Sequence, residues 1–323
     1  MKLNRRLLSI LLALPLLASA QQAQNYPNRT IRLVVPYAAG GAGDSVARPL
    51  AQRLSEILGQ PVIVDNKPGA NATLGADQVA KAAPDGYTIV LAAVVHYIVP
   101  LFSKNVPYDP IRDFTPIAPV VVTPNILAVH PSLPVNNTRE LIDYAKKNPG
   151  KLFYGTTGVG STHHLGGILF SQMAGIQMDH APYKGGSPTI NDALGGQIPV
   201  VILTSPTVLP HARAGRLRPI GMIETKRARA TPDIPALGEA LPGYGLPDTW
   251  FGVLGPANMP KAVTDRLNAA IRQATADPDL RARLEKAGYE MSASMSPEEF
   301  GSSIRSDAEV YRRIVTSAGI KPE

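Results

Sequence analysis

Two glycine-rich turns hold the residue types best suited to binding in this sequence. The first, Tyr37-Ala38-Ala39-Gly40-Gly41-Ala42-Gly43, follows the apolar run Ile31, Leu33, Val34, Val35 and leads into Asp44 and Ser45. The second, Gly155-Thr156-Thr157-Gly158-Val159-Gly160, follows Leu152-Phe153-Tyr154 and leads into Ser161-Thr162-His163-His164. The chemistry this order supports is anion capture. A helix start carries unpaired N–H donors and about half a positive charge, and glycine lets the backbone approach a ligand with no Cβ in the way. In the second turn the hydroxyls of Thr157, Ser161 and Thr162 could add donors, so that neutral dipoles alone could hold a carboxylate. A plain tight turn or helix cap is the alternative in both places. A third such transition, Pro182-Tyr183-Lys184-Gly185-Gly186-Ser187-Pro188, and a fourth at Thr204-Ser205-Pro206 repeat the pattern.

Sharper chemistries fail on spacing. A dinucleotide fingerprint needs a third glycine where Val46 stands, and a phosphate loop would end in Gly-Lys-Ser/Thr. Ser161 is not in a G-x-S-x-G setting, and the histidines beside it follow on the same helical turn, so no base is aimed back at it. His163 and His164 are adjacent, about 100° apart on a helix, with no carboxylate or cysteine at ligand spacing, which disfavours zinc. Neither a metal nor any other cofactor is expected. His96, after the apolar strand Thr88-Ile89-Val90-Leu91-Ala92 and Val94-Val95, is a candidate ligand contact, with a satisfied structural histidine as the alternative.

The elements that position these turns alternate between strand and helix, which points to an α/β fold, and the length suggests two domains. Val46, Ala47, Leu50, Ala51, Leu54, Ile57 and Leu58 predict a helix after the first turn, capped by Asp44 or Ser45 and kinked or delayed by Pro49. Two β-rich runs, Ile117 to Val122 and Ile126 to Val129, flank Thr123-Pro124-Asn125, which reads as a crossing between domains rather than a hairpin. Asn137-Thr138-Arg139-Glu140 resembles a capping box opening the next helix. After the strand Trp250-Phe251-Gly252-Val253-Leu254, three amphipathic helices are expected near 261–275, 279–287 and 297–317.

Lys2, Arg5 and Arg6 precede the uncharged run Leu7 to Ala20, which ends in Ala18-Ser19-Ala20. This pattern predicts an export signal over residues 1–20, cleaved near Ala20, and a periplasmic mature protein. Its removal takes three charges from the formal +7 and leaves +4. There is no cysteine, so an exported chain of this size is expected to rely on its apolar core rather than on disulfides. Arg213, Arg216, Arg218, Lys226, Arg227 and Arg229 have no interleaved aromatics; a solvated face is favoured over nucleic-acid binding.

Read together, these stretches resemble the substrate-binding proteins of tripartite tricarboxylate transporters, also called the Bordetella uptake gene family. The resemblance rests on Tyr26-Pro27 with Ile31 through Gly41 and Asp44, then Asn66-Lys67-Pro68-Gly69-Ala70, Pro84-Asp85-Gly86-Tyr87-Thr88, Pro107-Tyr108-Asp109-Pro110 with Asp113-Phe114, Tyr154 with Gly158 through Leu165, Pro182-Tyr183-Lys184-Gly185 and Leu194-Gly195-Gly196-Gln197. It implies a two-lobed periplasmic binding protein of the type II class, not an enzyme, expected as a monomer, that delivers a small-molecule carboxylate to membrane permease subunits. It also implies one lobe from residues 26–124 plus 249–323, the other from 125–248, and a ligand cleft between them. Tyr37, Ala39, Gly40 and Gly41 then line one wall, and Thr157, Ser161, Thr162 and His163 the other, beside the Tyr183, Gly185 and Gly186 loop.

Departures from the family pattern bear on the ligand. Ala93, Val94 and Val95 stand where small polar residues are usual before His96, and Pro199 and Thr204 stand where the family often has Asp. The absence of an acid at Thr204 argues against an ammonium-bearing ligand, while the valines with Tyr97 would suit a ring or alkyl chain. An aromatic carboxylate or dicarboxylate such as terephthalate is therefore favoured, with aliphatic di- and tricarboxylates next. A periplasmic sensor for a membrane kinase and a secreted hydrolase are the other function classes.

Overall fold

Strand β1 (Ile31–Val35) is buried at every position but Arg32, as expected of a parallel strand covered on both faces. In the computed structural model, which describes residues 26–322, it leads through the first turn into α1 (Ala42–Leu58). The expected export signal lies outside the described residues. α1 runs from Ala42 through the position of Pro49 without a break, so the late start is not found. Its apolar face, Val46, Ala47, Leu50, Ala51, Leu54 and Leu58, is buried. The expected side-chain cap is also absent: Gly41 is the N-cap, and Asp44 turns its carboxylate back to the Gly40 N–H at 2.9 Å instead.

Then come β2 (Val62–Asn66), α2 (Thr73–Ala80), β3 (Thr88–Ala93) and a short helical turn α3 (Val95–Ile98) that the sequence did not announce. The turn rotates His96 and Tyr97 inward together, which strand alternation would not do. β4 (Phe114–Val122) ends the first run.

Across Thr123-Pro124 the chain enters a second sheet with β5 (Asn125–Val129), α4 (Thr138–Lys147), β6 (Leu152–Thr156), α5 (Thr162–Ala174), β7 (Met178–Pro182), α6 (Gly186–Leu194), β8 (Val200–Thr204), α7 (Ser205–Arg213) and β9 (Arg218–Met222). Asn137 caps α4 by accepting from the Glu140 N–H at 2.9 Å. β10 (Trp250–Pro256) returns to the first sheet and is followed by α8 (Lys261–Ala276), α9 (Pro278–Lys286), β11 (Glu290–Met291) and α10 (Pro297–Ser317).

The result is a two-lobed α/β molecule with sheet orders β11-β4-β10-β3-β1-β2 and β7-β6-β8-β5-β9. β2, β1 and β3 run parallel, as do β7, β6 and β8. Their carboxyl ends, and the helix starts that follow them, therefore share one edge of each sheet, which is where open α/β sheets place ligands. The two crossings are tied to each other, because the Thr123 N–H donates to the Thr249 carbonyl at 2.7 Å. One buried cluster is continuous from Val34 and Leu254 in the first lobe to Leu127 and Ile202 in the second. The rings of Tyr97 and Trp250 lie 6.1 Å apart and those of Trp250 and Phe300 5.0 Å, so helices α3 and α10 meet the start of β10 through aromatic contacts. Among the described residues no helix is long and apolar enough to cross a membrane.

Candidate functional site

The first turn is braced from beneath by Asp44, a buried carboxylate. It accepts from the Gly40 N–H at 2.9 Å, from Arg48 Nε at 2.8 Å and from Asn66 Nδ2 at 2.9 Å. Burial opposes its ionisation, but these donors outweigh that and hold the carboxyl below its ordinary value. Asn66 also donates to the Tyr37 carbonyl at 3.1 Å. The Gly41 N–H bonds the Ala38 carbonyl. What the turn can offer a ligand is therefore the first-turn N–H groups of α1, which have no intrahelical partner, with Ala38, Ala39 and Gly40 exposed around them. The Tyr37 ring packs inward, edge-on to Phe251 at 5.6 Å, and a Cβ on Gly43 would lie 2.4 Å from it, so only glycine fits there.

In the second turn the hydroxyls expected to serve as donors are engaged within the protein. Ser161 caps α5, its Oγ accepting from the His164 N–H at 3.1 Å and donating to the Gly158 carbonyl at 2.8 Å. Thr157 Oγ1 bonds His163 Nδ1 at 2.9 Å. Thr162 is buried beside the Tyr311 phenol. The N–H groups of Thr162 and His163 at the helix start remain. His164 stacks on His180 at 3.9 Å, and burial lowers both imidazoles, to about 4 and about 3, so they stay neutral.

First-lobe residues touch this second turn. Asn71 Nδ2, in the loop beside the first turn, reaches the Val159 carbonyl at 3.5 Å. Phe102 lies 3.3 Å from where a Gly160 Cβ would sit and 5.6 Å from the His164 ring. The third turn adjoins the second: the Tyr183 N–H donates to the Thr156 carbonyl at 3.1 Å, and the Tyr183 carbonyl packs against Gly158. Gly185, at φ 109°, is the N-cap of α6, and Gly186 lies next to Thr207. Thr204 Oγ1 pairs with Thr207 Oγ1 at 2.9 Å.

Two histidines are placed differently from a ligand contact. Both nitrogens of His163 are taken, Nδ1 by Thr157 and Nε2 by Asn125 Oδ1 at 2.8 Å, and burial lowers the imidazole to about 4. His96 is buried between Tyr108, stacked at 5.0 Å, and Phe114, edge-on at 4.3 Å, with Nε2 on the Pro110 carbonyl and Nδ1 without a partner. Val94 and Tyr97 belong to the core as well.

Sequence reasoning missed Glu224. It is 4 % exposed, and its carboxylate accepts from the Asn125 backbone N–H and from Asn125 Nδ2 at 2.6 Å, while Asn125 Nδ2 also reaches Thr249 Oγ1 at 2.8 Å. Burial without a cationic partner pushes Glu224 up to about 8 against the donors from Asn125. Nothing local could have flagged it: Glu224 sits in a run of basic residues, 99 positions from Asn125. A raised acid binds its proton more tightly folded than unfolded, so its contribution to stability is present below 4.5 and declines as pH rises to about 8. Glu224→Gln is therefore expected to flatten the melting temperature between those limits, measured across pH; an unchanged slope would assign the dependence elsewhere.

Among the described residues no three His, Cys, Asp or Glu side chains cluster as a metal site. Thr157, His163 and Asn125 have the connectivity of a nucleophile, base and orienter, yet an imidazole lowered this far is a poor base at neutral pH.

The geometry has close counterparts. The family model described as tripartite tricarboxylate transporter family receptor matches residues 46–320. A UPF0065 protein of Bordetella bronchiseptica is 39% identical over 321 residues, 99% of this chain and 95% of the relative. A Rhodopseudomonas palustris protein solved with adipate superposes with a TM-score of 0.84 at 34% identity, covering 92% of this chain and 100% of that one. MatC from the same organism, solved with bound malate, does so at 0.79 and 29% identity over 90% and 100%. With a family model spanning nearly the whole described chain and a relative matched end to end, the protein belongs to the tripartite tricarboxylate transporter receptor family of periplasmic solute-binding proteins.

Proposed function

We propose that the protein captures a small carboxylate between the first and second turns and delivers it to the membrane permease subunits of a tripartite transporter. The observation that carries this reading is the pair of helix starts, α1 and α5, whose free N–H groups stand at the carboxyl edges of the two sheets, with Asn71 and Phe102 bridging the gap between lobes. A carboxylate satisfies donors from both walls only when the lobes close, so binding draws the molecule toward the closed form. The side chains of Thr157, Ser161 and His163 support this wall by shaping it, and Tyr37 supports the other.

An aliphatic dicarboxylate is the favoured occupant. The case for an aromatic ring rests on Val94 and Val95 with Tyr97; Val94 and Tyr97 pack in the core and Val95 is half-buried against it, whereas two relatives are solved with adipate and malate. A thermal-shift panel of malate, adipate, terephthalate and glutamate tests this on the mature protein. A ligand at a hundred times its Kd adds about 2.7 kcal/mol to native stability, so the aliphatic dicarboxylates are expected to raise the melting temperature. A shift with terephthalate alone would restore the aromatic reading; stabilisation by glutamate alone, or by none of the four, would overturn it.

A further inference from the structure

We propose that Glu224 and Asn125 decide whether Thr157 meets the bound molecule as a hydrogen-bond donor or as an acceptor, acting through His163. The proposal deepens the carboxylate reading and rests on it for the statement that the second turn faces a ligand. Four buried or half-buried side chains form one path from the inter-lobe crossing to the turn, with a single side branch from Asn125 Nδ2 to Thr249 Oγ1. Glu224 Oε1 meets Asn125 Nδ2 at 2.6 Å, Asn125 Oδ1 meets His163 Nε2 at 2.8 Å, and His163 Nδ1 meets Thr157 Oγ1 at 2.9 Å.

Each link has one hydrogen, and an ionised Glu224 can only accept. Asn125 must then donate to it, leaving its oxygen toward His163. His163 answers with Nε2–H, its bare Nδ1 accepts a hydrogen bond from the Thr157 hydroxyl, and Thr157 shows the cleft lone pairs only. Adding one proton to Glu224 permits the reverse order on the same heavy atoms. The carboxyl O–H donates to the rotated Asn125 oxygen, which also accepts from Thr249 Oγ1–H. The amide nitrogen donates to His163 Nε2, His163 carries its single proton on Nδ1 and donates to Thr157, and the Thr157 O–H, still intact, is free to donate into the cleft. The net change is one proton taken up at Glu224; the imidazole is neutral in both forms. The 2.6 Å contact is short for N–H···O and ordinary for O–H···O.

The groups facing Glu224 leave it free to make this change. From the other elements packed on it come the phenols of Tyr244 and Tyr311, both raised by burial and so protonated, and the carboxyl of Asp248, also raised. Among the described residues no lysine or arginine forms an ion pair with Glu224. A carboxylate ligand needs a donor, so it is served by the protonated form; a ligand hydroxyl can be accepted by the ionised one.

The test reads His163 directly in the ligand-free full-length mature chain. Two-bond nitrogen–proton correlation spectra distinguish the Nε2–H from the Nδ1–H tautomer, with His163→Asn supplying the assignment. Lowering pH from about 9.5 to about 6 keeps this imidazole neutral. His163 is expected to pass from Nε2–H to Nδ1–H with a midpoint near that of the Glu224 carboxyl carbon signal, about 8, and Glu224→Gln to abolish the transition. A fixed tautomer throughout, a midpoint unlinked to Glu224, or a transition retained in Glu224→Gln would overturn the proposal. If that variant does not fold, the wild-type pair of titrations still decides. No ligand is present in these measurements, so their failure is separate from failure of the carboxylate panel.

Discussion

Replacing Asn125 with leucine is expected to lower the melting temperature by roughly 6–12 °C, through loss of about 3 kcal/mol. Leucine has the same branching and the same number of side-chain heavy atoms but is bulkier, so a packing cost adds to the chemical one. Asn125 supplies side-chain hydrogen bonds to Glu224, Thr249 and His163, and it is wholly buried. Without it Glu224 retains one backbone donor and His163 Nε2–H has no acceptor. Each buried polar group left unpaired costs about 1–3 kcal/mol. Thermal unfolding followed by circular dichroism measures the loss, and a drop below about 2 °C would show that water or a neighbour replaces the amide. Adding Glu224→Leu to Asn125→Leu is expected to recover part of the loss, because removing both partners is milder than stranding one. The same substitution is expected to loosen the crossing, since Asn125 joins the start of β5 to Thr249 just before β10.

The features legible in the sequence are those whose cause is local. Strand, glycine turn and helix start follow one another within about fifteen residues at Ile31–Ala47 and at Leu152–Leu165, so steric freedom, periodicity and capping all speak within one window. Thr123-Pro124-Asn125 likewise carries a local mark, a proline between two β-rich runs. What was not legible depends on distant partners. His163 stands among hydroxyls and glycines and reads as a ligand contact; only Asn125, 38 positions away, explains why its second nitrogen is engaged. Asp44 reads as a cap, yet the competing donors Arg48 and Asn66 draw it beneath the turn. His96, Val94 and Tyr97, just past a strand, read as pocket lining, and one unforeseen helical turn buries them instead. Glu224 is equally illegible from its neighbours, because what holds it is Asn125, which pairs in register with Thr204 on the next strand.

Gly40→Val is the substitution expected to weaken ligand binding most for the least damage to the fold. Gly40 holds φ at +76° and a Cβ there meets nothing within 4 Å, so the objection to valine is conformational rather than steric. A β-branched residue in this region is strained by about 1–3 kcal/mol. The exposed turn relieves that strain by rotating its peptide, which pulls the Gly40 N–H off Asp44 and swings the backbone across the start of α1. Affinity for the best ligand of the carboxylate panel is expected to fall at least tenfold, about 1.4 kcal/mol, by isothermal calorimetry. Gly59→Val supplies the matched control. Gly59 is at φ +67°, also with nothing within 4 Å of a Cβ, but at the opposite end of α1, about 25 Å away. It imposes comparable strain on the same helix away from the proposed site. If both variants bind as the wild type does, the first turn is no part of the site; if both lose affinity equally, the loss comes from α1 stability and not from the turn.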